Sequence, residues 1–423
     1  MAESNSQITQ LFLESVQRLT PIISSSADTA ESNRELPANL LEALHQESLF
    51  RLLLPKLYGG FELPPASFCK IIEAIATIDA STAWCLCQAN GCAMAAAFLP
   101  KHVANEIWAE DKKGVLAWGP GTGKAIRQGN HFRLTGRWSF VSGGRHASWI
   151  GGHALVKDEN GDTCMDPTGR PMSRTFLFPS TRAEMKEAWD VIGLLGTGSD
   201  QFAVSDISVP ATHMLARDEP SQRNYDEPLY YFPAASLYAS GFAGVALGIA
   251  RAMFDSFKLL VSTKTPRLEQ QKLNENPVIQ SEVAQSQARL NSARVYLLSE
   301  LEEIWDSVCN NKELAVEDRI RIRLASTYAI HEARSVVNAV YAAAGASAIF
   351  SNSPFQRRFR DLHTVAQQIQ GRKSHFQAVG SFLLGQPPDL TMAQRRGHGS
   401  IQEKWLLTMN YGKYFCTATS SGG

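Results

Sequence analysis

Between about residues 114 and 215 the apolar residues of this chain recur at every second position, while on either side they recur at three and four. A period of two builds strands and a period near 3.6 builds helices, so the order along the chain is helical, then β, then helical. Six short runs carry the alternation: 115–118, 132–134, 138–142, 149–155, 174–178 and 203–209, the last stopped by Pro210. Turn residues separate them, and six strands within about 95 residues predict a small barrel or sandwich. Residues 158–171, with Gly161, Asp166-Pro167 and Gly169, read as a surface hairpin loop.

The flanks are helical for identifiable reasons. Ile8, Phe12, Val16, Leu19 and Ile23 form one buried stripe, and the Ser/Asp/Glu-rich residues 24–34 read as a connection after it. Pro37 suits the first turn of a second helix, with Leu40, Leu41 and Leu44 as its buried face. Residues 68–78 and 81–98 read as two more helices, the second rich in small residues. Past Pro233 the helical period returns. Leu290, Ala293, Leu297, Leu301, Ile304 and Val308 line one face of a long helix, and 320–345 forms another, rich in alanine. Three regions follow: 1–113 helical, 114–215 β, and 216–423 a helical bundle with a tail. The tail beyond Pro388, including Trp405-Leu406-Leu407, carries little pattern.

Bulk properties narrow the function classes. At 423 residues the chain exceeds one simple core. Its 41 basic and 41 acidic residues are evenly spread, which argues against nucleic acid or an anionic membrane as a partner. No apolar run approaches the ~18 residues that span a bilayer, and residues 1–5 lack the features of a secretory signal. A cytoplasmic chain is expected. The seven cysteines include no CxxC pair, so reduced, mostly buried thiols are expected, and no metal site.

Two segments combine apolar residues with small and hydroxyl ones: Gly136-Arg137-Trp138-Ser139-Phe140-Val141-Ser142-Gly143-Gly144 and Gly193-Leu194-Leu195-Gly196-Thr197-Gly198-Ser199. Such endings bring a hydroxyl and bare backbone to the edge of a flat ligand. They also serve any turn that satisfies its own hydroxyls.

Several segments, taken in order, resemble those of the acyl-CoA dehydrogenase superfamily. They are Leu54-Pro55-Lys56-Leu57-Tyr58-Gly59-Gly60, Ala117-Trp118-Gly119-Pro120-Gly121-Thr122-Gly123, Arg137 to Gly143, and Ala342-Ala343-Ala344-Gly345 leading to Arg360-Asp361. The resemblance runs from about Ile8 to Gly385. It implies an α+β multidomain fold with an N-terminal helical domain, a central β-barrel and a C-terminal four-helix bundle. The dehydrogenases of that superfamily need a carboxylate base after the Arg-Asp. This chain has Val365-Ala366-Gln367-Gln368-Ile369-Gln370-Gly371 there, and glutamine takes no proton at neutral pH.

The wording of Trp138 to Gly143, Leu194 to Asp200 and Ala344 to Ser347 is closer to the two-component flavin monooxygenases of this fold. That branch implies a reduced flavin (FMN or FAD), O2, a separate NAD(P)H:flavin reductase, a C4a-(hydro)peroxide and a homotetramer. Its substrates would be small, apolar and aromatic, or carry a reactive indole carbon, sulfur or nitrogen. Carried residue by residue, the resemblance assigns Ser142 to flavin N5, Trp118 and Phe140 to the walls, and Thr197 and Ser199 to the ring or ribityl chain. Arg360, with Asp361, falls at a structural position close to the flavin, Arg267 where a neighbouring subunit presents an arginine to the cofactor phosphate, and Gly345 where the bundle meets the cofactor. The family's active-site histidine is matched by Gln368, with His363 close by, and a second histidine is replaced by Asn90, Gly91 and Cys92. No GxGxxG motif in a βαβ unit exists, so reduction must come from another protein. Two alternatives remain: a dehydrogenase or oxidase with a relocated base such as Glu332, and a flavin-binding subunit without catalysis.

Overall fold

A computed structural model describes residues 2–167, 169–216 and 219–386 of the chain. The tail with Trp405, and Cys416 within it, lies outside the described residues. The N-terminal helices are α1 (Ala2–Asn33), α2 (Ala38–Gln46), α3 (Pro65–Ile78), α4 (Ala80–Ala93) and the single turn α5 (Lys101–Ala104). The strands are β1 (Leu116–Trp118), β2 (Gly121–Gln128), β3 (His131–Trp138), β4 (Trp149–Lys157), β5 (Ser173–Pro179), β6 (Glu184–Lys186), β7 (Gln201–Pro210) and β8 (Met214–Leu215). The C-terminal helices are α6 (Ala234–Thr263), α7 (Pro277–Asn311), α8 (Val316–Ala344), α9 (Pro354–Gln367) and α10 (Ser374–Leu383).

The helix expected to stop near Ile23 continues to Asn33. Its last two turns are polar in sequence, yet Ser26, Ala27 and Ala30 are buried. Glu31 there bonds Arg357 and Arg360 of α9, at 2.5 and 2.6 Å. A polar stretch is helical here because the partner surface is cationic.

The eight strands form one mixed sheet in the order β6-β7-β3-β2-β4-β5-β8, with β1 beside β4. β4 runs parallel to β1 and β2, and the other pairs are antiparallel. Trp138 organises its core. The indole stacks on Phe202 at 4.7 Å and donates Nε1–H to His153 O at 2.9 Å. Gly123 and Gly136 lie under the same ring, where a Cβ would come within 2.6 and 2.5 Å of it. Those strand glycines are there to make room for the indole.

α6 is the axis of the helical part, covered by α3 on one side and α8 and α9 on another. Gly248 lets α6 approach α3 so closely that a Cβ would sit 2.4 Å from Glu73 O. Contrary to the sequence expectation, α6 is long and apolar enough by composition to cross a bilayer, but 94% of its most apolar window is buried in the fold. It is a core helix. Cys69, Cys85, Cys87 and Cys92 are buried and form no disulfide, and burial raises the pKa of each of the first three.

Candidate functional site

β3 ends at Trp138, so the strand expected over 138–142 is a turn instead. Phe140 takes a left-handed backbone, φ 57°, which no aromatic adopts without strain and which breaks the ladder. Ser142 N donates back to Phe140 O at 3.1 Å, and Gly143 N (φ 72°) donates to Thr197 O at 3.0 Å. That second bond ties the turn to the loop before β7, where Leu194 (φ 54°) and Gly198 (φ 47°) are also left-handed.

Between the two loops lies a cluster of three hydroxyls. Ser142 Oγ is 2.7 Å from Ser199 Oγ, which is 2.7 Å from Thr197 Oγ1, and Thr197 Oγ1 donates to Leu194 O at 2.8 Å. From α4, Trp84 Nε1 donates to Ser142 Oγ at 2.9 Å. Thr197 and Ser199 keep 2% and 4% of their surface and Ser142 keeps 7%, so Ser142 is the outermost member. Asp361 of α9 braces the loop: its Oδ1 accepts from Leu194 N at 2.6 Å, and burial pushes its carboxyl up to about 7. Gly193 packs so tightly that a Cβ would sit 2.4 Å from Arg360 O. All three regions of the chain therefore meet at this pair of loops, α4 through Ser142 and α9 through Leu194.

Aromatic rings surround it on the helical side. Trp84 stacks on Phe242 at 3.9 Å, and Phe242 stacks on Tyr238 at 5.8 Å. One turn beyond Trp84, Gln88 Nε2 donates to Trp118 O at 3.4 Å, and Trp118 itself is buried. Phe140 is 61% exposed, with its edge toward Trp189 at 6.1 Å.

The other expected site residues are placed differently. His363, half-buried, donates from Nε2 to Asn338 Oδ1 of α8 at 2.9 Å and packs on Phe359, so it is occupied between α8 and α9. Gln368 caps the short turn after α9, its Oε1 accepting from Gln370 N at 2.8 Å, and its buried Nε2 has no acceptor among the described residues. Arg360 is not presented to a phosphate. It bonds Glu31, Gln356 and Ile192 O, a network formed because α1 reaches it. Arg267 lies on the exposed turn that follows α6. Gly345 ends α8 with φ 57°, in the segment that borders a surface cavity of about 590 Å3 lined by Leu259, Ser347, Phe350 and Phe355. Thr197 and Ser199, expected on the ring or ribityl chain, spend their hydroxyls on the cluster.

Sequence reasoning missed Trp84. The signal was available: one large indole, one turn before Gln88, in a helix otherwise rich in small residues.

Comparison with known proteins bears directly on this arrangement. Residues 9–102 match the acyl-CoA dehydrogenase N-terminal domain and residues 240–371 the acyl-CoA dehydrogenase C-terminal domain. The indole-3-acetate monooxygenase of Pseudomonas putida is 30% identical over 360 residues, spanning 85% of this chain and 90% of that protein. The chain belongs to the flavin-dependent monooxygenases of the acyl-CoA dehydrogenase superfamily. The oxygenase subunit HsaA of Mycobacterium tuberculosis, a flavin-dependent monooxygenase, is 26% identical over 90% of this chain and 98% of its own. The structure of XiaF from Streptomyces, solved with FADH2 and glycerol, superposes with a TM-score of 0.84 at 20% identity, covering 92% of this chain and 98% of that one. That likeness is one of fold.

The residues present fit the reduced flavin that this family uses. A bulky aromatic on a strained, left-handed backbone gains nothing by standing 61% exposed unless a flat partner lies against it. Ser142, two residues from that ring in sequence, is the most exposed of the three hydroxyl residues.

Proposed function

We propose that the chain is the oxygenase component of a two-component system, receiving reduced flavin from a separate NAD(P)H:flavin reductase. One atom of O2 passes to a small, uncharged aromatic or heteroatom-bearing substrate and the other leaves as water, the flavin supplying the electron pair. The observation that carries this reading is the convergence of Ser142, Trp84 and Phe140 where the three regions meet.

In this reading Ser142 holds the flavin edge, and Trp118 and Phe140 keep water from it. Trp84, Phe242 and Tyr238 give the substrate side an apolar wall. Excluding water matters because it suppresses side reactions of the activated oxygen. Among the described residues no carboxylate bonds the hydroxyl cluster directly; Asp361 is held back from it, on Leu194 N. Glu332 lies on α8 outside the cluster, which disfavours proton abstraction from a CoA thioester there.

Subunit contacts belong on the outer faces of α7 and α8 and around the cavity near Gly345. Val278, Val295, Leu259, Ile349 and Phe350 are apolar and 62–74% exposed there. A homotetramer would cover them, with FMN or FAD near a subunit boundary. Sedimentation tests the assembly: a stable monomer with full flavin affinity contradicts it.

The activity test uses the purified chain with a flavin reductase, NADH, O2 and a panel of indole, an aryl sulfide, a phenol and a CoA thioester. An oxygenated product from one of the first three, and no NADH oxidation without the reductase, is expected. Flavin reduction by the CoA thioester without oxygen would contradict the reading.

A further inference from the structure

The order of protons in the hydroxyl cluster is fixed by its distances. Leu194 O carries no proton, so at 2.8 Å from it Thr197 Oγ1 must donate; two bare oxygens at that distance would repel. With its one proton spent, Thr197 can only accept from Ser199 at 2.7 Å. Ser199 has then spent its own proton, so in the next 2.7 Å contact Ser142 is the donor. The indole Nε1 of Trp84 can only donate, and fills one lone pair of Ser142 Oγ at 2.9 Å. The chain therefore runs one way: Trp84 to Ser142 to Ser199 to Thr197 to Leu194 O. Ser142 is left with one lone pair and no proton to offer.

We infer that Thr197, acting through Ser199, makes Ser142 an acceptor-only contact and so selects the reduced over the oxidised flavin. This rests on the placement of the flavin edge at Ser142 proposed above. Reduced flavin presents N5–H, a donor that the free lone pair accepts. Oxidised flavin presents a bare N5, which meets that lone pair as one acceptor meeting another. Thr197 and Ser199 are positioning residues in this account: they touch no cofactor and act only through the direction of the chain.

Removing the Thr197 hydroxyl unlocks the direction. In Thr197→Val, Ser199 is free to donate to Ser142, whose lone pairs are then filled by Ser199 and Trp84 and whose own proton is released outward. Ser142 could then serve either form of the flavin. The loop itself should survive, because Leu194 O keeps the Trp189 indole at 2.9 Å and the N–H of residue 197 at 3.1 Å.

The test is an anaerobic equilibrium titration of the full chain with oxidised FMN and FAD, and with the same flavins reduced by dithionite, each variant checked first by circular dichroism. Wild type should prefer reduced flavin, and Thr197→Val should lose about tenfold of that preference, the scale of one neutral hydrogen bond. Thr197→Ser should restore it. If Thr197→Val does not fold, Ser199→Ala removes the acceptor for Ser142 and should erode the preference in the same way.

A folded Thr197→Val or Ser199→Ala with the wild-type preference overturns the inference. Ser142→Ala separates this failure from that of the underlying reading. If it weakens reduced flavin while Thr197→Val changes nothing, only the directional account falls. If Ser142→Ala leaves both forms bound as in wild type, Ser142 is not at the flavin and both fall.

Discussion

The turn at Ser142 and helix α9 were both candidates for gripping the cofactor, and they behave in opposite ways. On the turn, short side chains converge: Ser199 Oγ lies 2.7 Å from both Ser142 Oγ and Thr197 Oγ1. On α9, the long side chains disperse. Arg360 and Arg357 go to Glu31, and His363 to Asn338. A hydroxyl oxygen two bonds from Cα goes where the backbone puts it, whereas a guanidinium carbon five bonds away finds an internal acid first. Short polar groups on strained loops therefore mark this site better than charges do.

The largest expected effect is at the turn. Ser142→Ala should leave the fold intact, yet with reductase and O2 it should lower product yield about a hundredfold and send oxygen to hydrogen peroxide. A lost hydrogen bond where charge develops is worth about 2–4 kcal/mol. Product and peroxide assayed on the same sample check it, and unchanged coupling would remove Ser142 from the site.

Asp361 joins the two regions and should come next. Asp361→Leu leaves Leu194 N–H buried without an acceptor, which costs about 1–3 kcal/mol. Urea denaturation should show the loss, and flavin affinity should fall with it because Leu194 O ends the hydroxyl chain. A variant as stable as wild type would mean that α9 does not brace the loop.

Near the turn, His146 supplies a pH test. Burial pushes its imidazole down to about 4, and its buried Nε2 has no partner among the described residues. An unfolded chain titrates histidine near 6.5 and so binds more protons between about pH 6.5 and 4. This histidine should therefore cost stability as pH falls through that window, by about 3 kcal/mol at the acid end. His375, pushed down to about 4 by burial and by the Arg323 charge, works in the same direction, while Asp361, raised to about 7, works in the opposite one. The readout is accordingly a difference: His146→Gln melting temperature relative to wild type should rise between pH 6.5 and 4. A flat difference would show that the imidazole is solvated.

The smallest effect belongs to α9. Arg360→Met breaks partly exposed ion pairs and should cost about 1 kcal/mol or less, without changing flavin affinity. A large loss of affinity would return Arg360 to the cofactor.

Much of the fold was legible because burial was periodic. Leu290 to Val308 and Ala325 to Val340 gave α7 and α8, and the alternation gave most of the sheet. Periodicity failed where something other than apolar burial decided the outcome. The end of α1 is helical because its acids meet the arginines of α9, a contact 329 residues apart in sequence. The end of β3 is set by the left-handed backbone of Phe140, which apolar alternation cannot register. At the site, Ser142 could be singled out because it closes a Gly-rich turn. Trp84 could not, because its importance lies in where its indole N–H points, and that depends on α4 packing beside a loop more than fifty residues away.

The central claim is that the flavin edge lies at Ser142. The indole proton of Trp84, which donates to Ser142, reports on that position directly. Protein labelled with 15N-tryptophan, with the Trp84 resonance assigned by Trp84→Phe, can be titrated anaerobically with reduced flavin. The Trp84 indole resonance should shift on binding, while that of Trp149, stacked on His213 elsewhere on the sheet, should hold still. An unmoved Trp84 resonance at saturating reduced flavin would place the cofactor elsewhere and contradict the account.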